Sequence, residues 1–165
     1  MSSSTPEPLT AAVLTVSDSS ARGERSDLSG PAVAEVLRKA GFSVVTTEIV
    51  SDDQAPIRKA ITRLAEGARL VVTTGGTGIA KRDVTPEATR AVCERLLEGV
   101  AEKMRFEGGK KTRLAALSRG ICGVRGESVI LNLPGSPNGA VDSLNAVIDL
   151  MPHALQLLSG NTKHQ

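Results

Sequence analysis

A chain of 165 residues, 40% of them apolar, is long enough for one domain that buries its core without disulfide or metal staples. Twenty basic and eighteen acidic residues leave a net charge of +2, and Phe42 and Phe106 are the only aromatic residues. The basic footprint and the stacking platforms of a nucleic-acid binder are therefore both missing. No apolar run approaches a membrane span, and MSSSTPEPLT lacks the basic and apolar regions of a signal peptide, which predicts a cytoplasmic protein without membrane contact.

Residues 1–9 are polar, carry two prolines and read as a disordered lead-in, residues 10–160 as the domain, and residues 161–165 as a frayed tail. Ala11–Val16 is an apolar strand that runs into Ser17-Asp18 and a polar loop. Ser29 is expected to cap a helix carrying Val33, Val36, Leu37 and Ala40 and ending at Gly41. Phe42–Val50 reads as the second strand, followed by Ser51-Asp52-Asp53 and a helix with Ile57, Ile61 and Leu64 on one face. Leu70-Val71-Val72 begins the third strand, which breaks into Thr73-Thr74-Gly75-Gly76-Thr77-Gly78. Thr85 is the expected N-cap of the next helix, with Pro86 at its first position, running to about Leu97. Val100–Phe106 predicts one or two further helical turns, Gly108–Lys111 a turn, Arg113–Leu117 a fourth strand, and Ile121–Gly126 a tight connection able to pair locally. Ser128–Leu133 is the fifth strand, closed by Pro134-Gly135-Ser136-Pro137. The last helix starts near Asn138, with a kink or break expected at Pro152.

Strands alternating with helices predict an α/β fold of three layers, Rossmann-like, with a mostly parallel sheet covered on both faces. The residues that follow the expected strands are Ser17-Asp18, Asp52-Asp53, the Gly75–Gly78 loop, Ser118-Arg119 and Pro134-Gly135-Ser136. In a parallel sheet these share the carboxyl edge, where open α/β sheets bind ligands. Strand, glycine loop and helix start together aim backbone N–H groups at an anion, usually a phosphate. The loop matches neither the dinucleotide fingerprint nor the P-loop, so it gives no support to a nicotinamide enzyme or a P-loop NTPase. Lys81, Arg82 and Arg119 suit stabilising the charge that develops in phosphoryl or nucleotidyl transfer. Asp52 and Asp83, if they converge, suit one Mg²⁺, which takes one or two carboxylates plus water and substrate phosphates. His153 and His164 accompany no nucleophile, and Cys93 and Cys122, without CxxC spacing, read as buried thiols.

TTGGTGIAKRDVTPEAT, followed by LSRG and LNLPGSPNGAV, resembles the molybdenum-cofactor biosynthesis family, which includes molybdopterin adenylyltransferases and the G domain of fusion proteins such as gephyrin. The resemblance runs from about Ala11 to Gly160. It implies a homotrimer and Mg²⁺-dependent transfer of an adenylyl group from ATP to the terminal phosphate of molybdopterin. Pyrophosphate would leave, and the adenylyl-molybdopterin would pass to a molybdate-inserting partner. Carried over by position, the essential acidic residues match Asp52 and Asp83, with Arg82 beside them. The phosphate- and nucleotide-binding positions match Thr74, Gly75, Gly76, Thr77, Gly78, Pro134, Gly135 and Ser136. The molybdopterin-binding positions match Ser17, Asp18, Ser118, Arg119, Pro137 and Asn138. The family often has Pro-Asp-Glu where this chain has Ser51-Asp52-Asp53. Two other readings stay open: a non-catalytic molybdopterin carrier of the same fold, and a generic nucleotide- or phosphate-binding module.

Overall fold

The computed structural model of the chain describes residue 5 and residues 7–160. The expected tail at 161–165 and part of the expected lead-in lie outside the described residues. Six strands form one sheet: β1 (Thr10–Val16), β2 (Ser43–Val50), β3 (Leu70–Thr74), β4 (Arg95–Leu96), β5 (Cys122–Arg125) and β6 (Ser128–Leu133). The spatial order is β2-β1-β3-β6-β5-β4. The β2-β1-β3-β6 ladders are parallel, while β5 runs antiparallel to both β6 and β4.

Side-chain alternation along the strands divides the core in two. Ala11, Val13, Leu70, Val72, Val129 and Leu131 face one layer of helices, α2 (Ser29–Lys39), α5 (Glu98–Gly109), α6 (Pro137–Val147) and α7 (Met151–Leu158). Ala12, Leu14, Val16, Val71 and Ile130 face the other, α3 (Gln54–Gly67) and α4 (Thr85–Val92). The central strands are apolar on both faces because both are covered; β2, at the edge, alternates between exposed and half-buried. A four-residue helix, α1 (Asp18–Ala21), follows β1.

Several expectations need correcting. Arg113–Leu117 is a 3₁₀ turn, not a strand: its alanines and leucines are helix formers without β-branching, and Thr112 Oγ1 caps it by accepting from Leu114 N–H at 3.3 Å. The fifth expected strand is therefore β6, and the local pairing open to Ile121–Gly126 is present as its antiparallel partner β5. α4 stops at Val92 rather than near Leu97, because Glu94 N–H and Leu97 N–H are drawn into pairing with the Val124 and Cys122 carbonyls, both at 2.8 Å. α5 is twelve residues long, exceeding the one or two turns expected, and takes in Gly108 and Gly109. Neither Ser29 nor Thr85 is an N-cap; each is the first residue of its helix. Asp27 Oδ1 does the capping at α2, accepting from Gly30 N–H at 2.9 Å. The expected break in the last helix is present, as a 3₁₀ turn at Ile148–Leu150 just ahead of Pro152. No helix among the described residues is long and apolar enough to cross a membrane.

Candidate active site

β1 and β3 are neighbours, yet the chain leaves β1 toward β2 on one side and continues from β3 toward β6 on the other. That reversal opens a crevice at the carboxyl ends of the two strands. A cleft of about 450 Å³ lies there, lined by Ser17, Asp52, Thr74, Gly75, Gly76, Asp83, Gly135, Ser136 and Pro137. The stretches singled out at strand ends thus meet, with Ser118-Arg119 the exception. That pair borders a second cavity of about 330 Å³, with Arg90, Arg105 and Gly120. It still reaches the same sheet edge, because β5 is antiparallel and begins where the parallel strands end.

The glycine loop is shaped by backbone geometry and close approach. Gly75 (φ +104°) and Gly76 (φ +70°) adopt conformations that side-chain-bearing residues rarely take. A Cβ on Gly75 would lie 2.3 Å from the Val16 carbonyl oxygen, and one on Gly78 would lie 2.8 Å from Asp83 Oδ2. Thr85 is fully buried; its hydroxyl donates to Gly75 O at 2.9 Å and its N–H to Gly76 O at 3.1 Å. Thr74 Oγ1 donates to Pro134 O at 2.6 Å, tying the loop after β3 to the loop after β6. Gly75 N–H donates to Leu133 O, whereas the N–H groups of Gly76, Thr77 and Gly78 find no protein acceptor among the described residues. Of the three, Gly76 lines the cleft, and its N–H is left for an anion there.

The acidic residues are fixed in pairs. Asp18 N–H donates to Asp52 Oδ2 at 2.8 Å and Asp52 N–H to Asp18 Oδ1 at 3.0 Å, which locks together the ends of β1 and β2. Asp83 Oδ2 accepts from Ala80 N–H at 3.0 Å. Among the described residues neither Asp52 Oδ1 nor Asp83 Oδ1 receives a hydrogen bond, so each carboxylate keeps one oxygen uncommitted. Burial pushes the Asp52 carboxyl above its usual range, and the Asp18 and Asp83 carboxylates add to that rise against the opposing Asp18 N–H. Asp18 goes the other way, held down to about 2 by its hydrogen bonds from Arg82 and from the Asp52 N–H. Asp53 is exposed and outside the cleft lining; its Oδ1 accepts from Arg82 Nη2 at 3.3 Å.

This donor set fits Mg²⁺. Two carboxylates each offer an open oxygen beside unpaired N–H groups, and their mutual repulsion favours a cation between them. No group of three or more His, Cys, Asp or Glu among the described residues forms a cage, so an ion here would keep waters or ligand oxygens.

The remaining candidates are placed as follows. Arg82 is exposed, and its guanidinium forks onto Asp18 (2.6 and 2.9 Å). Arg119 spends its guanidinium on the chain itself, at Gly78 O, Asp83 O and the Glu87 carboxylate. Ser136 caps α6 by accepting from Gly139 N–H at 3.2 Å, and Asn138 is exposed and lines neither cavity. The six residues matched to molybdopterin do not form one group: Ser17 and Pro137 line the cleft, Ser118 and Arg119 the second cavity. Sequence reasoning missed Asp27, whose Oδ2 accepts from Thr15 Oγ1 at 2.7 Å on the cleft wall. An Asp three residues ahead of Gly30 at a helix start was the available signal. Burial pushes the Cys93 and Cys122 thiols up to about 11 and about 12, which disfavours the thiolate at both.

The family described as "Probable molybdopterin binding domain" matches residues 12–153, which include both the cleft and the second cavity. The chain belongs to this family. It is similar to the molybdopterin adenylyltransferase of Helicobacter pylori J99, at 42% identity over 90% of this chain and 87% of that protein. Among solved structures, the molybdopterin biosynthesis enzyme MoaB of Thermus thermophilus is 51% identical, covering 92% of this chain and 97% of that one, with a TM-score of 0.87. The molybdopterin biosynthesis Mog protein of Mycobacterium ulcerans is 38% identical, covering 93% and 98%, with a TM-score of 0.86. In this molybdopterin-binding-domain chain, the switch-point cleft of the fold carries the acidic pair.

Proposed function

We propose that the chain is an enzyme of molybdenum-cofactor biosynthesis, a nucleotidyltransferase that moves the adenylyl group of ATP onto the terminal phosphate of molybdopterin. The observation that carries this reading is the placement of Asp52 and Asp83, from separate loops, in one cleft with Gly76, whose N–H is unpaired among the described residues. Binding phosphate needs only N–H donors. Two additional carboxylates aimed at an anion site repel a naked phosphate and make sense when a divalent cation joins them.

A terminal phosphate oxygen of molybdopterin attacks the α-phosphorus of ATP. The bond from that phosphorus to the bridging oxygen breaks, and pyrophosphate leaves with the electron pair. Asp52 and Asp83 would hold Mg²⁺, which when bound neutralises phosphate oxygens as charge shifts from the attacking to the leaving group. The loop N–H groups receive the phosphate oxygens and cost no reorganisation during the step. Thr74, Gly135 and Ser136 line the cleft and would form the wall for the nucleotide, with Pro134 holding Thr74 through its carbonyl. Two cavities suit two substrates: Asp83 lines the cleft, and its carbonyl is bonded by Arg119, which lines the Ser118 cavity. A pterin held beside Ser118 would present its phosphate toward that junction, with Arg90 as an exposed cation on the same wall.

The enzyme is further proposed to be a homotrimer that hands its product to a molybdate-inserting partner. Phe106, Leu114 and Leu117, 67%, 71% and 52% exposed on α5 and the adjoining 3₁₀ turn, supply apolar surface for a subunit contact. Light scattering on the eluting protein tests this; a monomer at micromolar concentration contradicts it.

Purified protein incubated with ATP, Mg²⁺ and molybdopterin is expected to yield adenylyl-molybdopterin and pyrophosphate in equal amounts. Pterin binding with no adenylylated product would identify a carrier instead. A melting temperature raised by ATP but not by molybdopterin would identify a nucleotide-binding module.

A further inference from the structure

An arginine beside a glycine loop is the ordinary choice for gripping phosphate, but Arg119 commits all three of its guanidinium nitrogens, through three of their five N–H groups, to the chain itself. Nε donates to Gly78 O and Nη2 to Asp83 O, both at 2.7 Å, and Nη1 pairs with Glu87. Its backbone N–H is also committed, to Thr77 O at 2.8 Å. The two carbonyls taken by the guanidinium are the first and last of the six-residue stretch 78–83. Glu87 lies in the first turn of α4, so the same side chain ties both ends of that loop to the helix.

We propose that Arg119 is a positioning residue that sets where the Asp83 carboxylate stands in the cleft, by bonding both ends of the 78–83 loop at once. This rests on the adenylyltransferase reading and deepens it. The loop has little else to hold it. Ile79, Ala80, Lys81 and Arg82 are exposed, and inside the loop the anchors are the Asp83 N–H to Ala80 O bond and the Ala80 N–H to Asp83 Oδ2 bond. Those bonds fix Asp83 relative to Ala80 but not relative to Asp52 across the cleft. Arg82 reaches Asp18 from the far side, but its side chain is 58% exposed and that pair is open to solvent screening. Thr85, two residues on, ties the C-terminal side to Gly75 O and Gly76 O, and Arg119 adds a link to the sheet at both ends of the loop, because Gly120 and Ile121 continue directly into β5. A lysine at this position would offer one point charge where a planar fork meets three acceptors.

Arg119→Ala, Arg119→Lys and Glu87→Gln would be compared with the unaltered protein in three measurements. These are melting temperature, kcat and KM for each substrate, and Mn²⁺ binding followed by EPR with α,β-methylene-ATP present. Arg119→Ala is expected to bind Mn²⁺ about tenfold more weakly, as supporting residues of metal sites do. Its kcat should fall about tenfold or more, with KM for ATP and for molybdopterin within about threefold. Arg119→Lys should recover only part of either loss, and Glu87→Gln should show a smaller loss in the same direction. Unchanged Mn²⁺ binding and kcat in Arg119→Ala would overturn the proposal. So would a raised KM for molybdopterin at normal kcat and Mn²⁺ affinity, which would make Arg119 a substrate ligand. Losses that disappear well below the melting temperature would also overturn it, leaving only a stability role. If the unaltered protein forms no adenylyl-molybdopterin, the functional reading fails, while the Mn²⁺ comparison still decides the part played by Arg119.

Discussion

Asp18 and Asp52 exchange backbone hydrogen bonds, yet the fold drives their carboxyls in opposite directions, and the consequences for stability have opposite signs. Asp18 falls to about 2 from an ordinary 3.8, so the unfolded chain takes up its proton first. Its contribution is present above pH 3.8 and is lost as pH falls toward 2. Asp52 is raised, chiefly by burial, so the folded state favours its neutral form. What it contributes is complete below pH 3.8 and declines as pH climbs through its folded value. Without divalent cation, Asp52→Asn should therefore melt higher than the unaltered protein at pH 7, a gain that shrinks below about pH 4. Asp18→Asn should melt lower at pH 7, with a deficit that shrinks toward about pH 2. Melting curves across that range check both, and a destabilised Asp52→Asn would show that its charge is already compensated. The glycines give a second residue-scale contrast. Gly75→Ala meets both a positive φ and a backbone oxygen 2.3 Å away, and should lose about 2 kcal/mol or more. Gly67→Ala, at the end of α3 with open space around it, should gain about 0.5 kcal/mol. Urea unfolding of the two variants measures the difference.

Elements explain why the site was partly legible in the sequence. β1, β3 and β6 are short apolar runs with turn-forming residues behind them, so their ends, and the loops after them that border the cleft, were marked by composition alone. β4 was not, and β5 showed only as a stretch able to pair locally, since the glycine-containing CGVR stretch takes its edge from β6 and the two-residue β4 takes its edge from β5. Arg113–Leu117 misled for the converse reason: four apolar residues in five suggest burial, but Leu114 and Leu117 are exposed. Convergence of Asp52 and Asp83 followed from the parallel sheet, whereas the commitment of Arg119 to carbonyl groups depends on side-chain direction, which spacing does not encode. Beneath the glycine loop the elements are joined by one buried amide. Asn132 Nδ2 donates to Thr73 Oγ1 at 3.0 Å and Thr89 Oγ1 at 2.9 Å, and its Oδ1 accepts from Ile121 N–H at 3.2 Å. Asn132→Leu strands all three partners in an apolar layer and should cost about 2 kcal/mol. Equilibrium unfolding tests it, and a neutral result would mean that water replaces the amide.

For the molecule as a whole, strand order decides where chemistry can occur. Only at the β1/β3 reversal do the loops after neighbouring strands part, and there the cleft gathers an acid from the β2 loop, an acid from the β3 loop and the unpaired N–H of Gly76. The pair of acids is expected to act as a unit, since each offers a share of one cation's coordination. The direct test is the rate of adenylyl-molybdopterin formation at saturating ATP and Mg²⁺ for the unaltered protein, Asp52→Asn, Asp83→Asn and the double variant. Each single change should lower the rate by about a hundredfold or more, and the double variant should be no worse than either, as for residues serving one step. Molybdopterin binding should stay within about threefold in all four, because neither acid is needed to hold the pterin. Wild-type rates in either single variant, or losses that multiply in the double variant, would contradict the shared cation site.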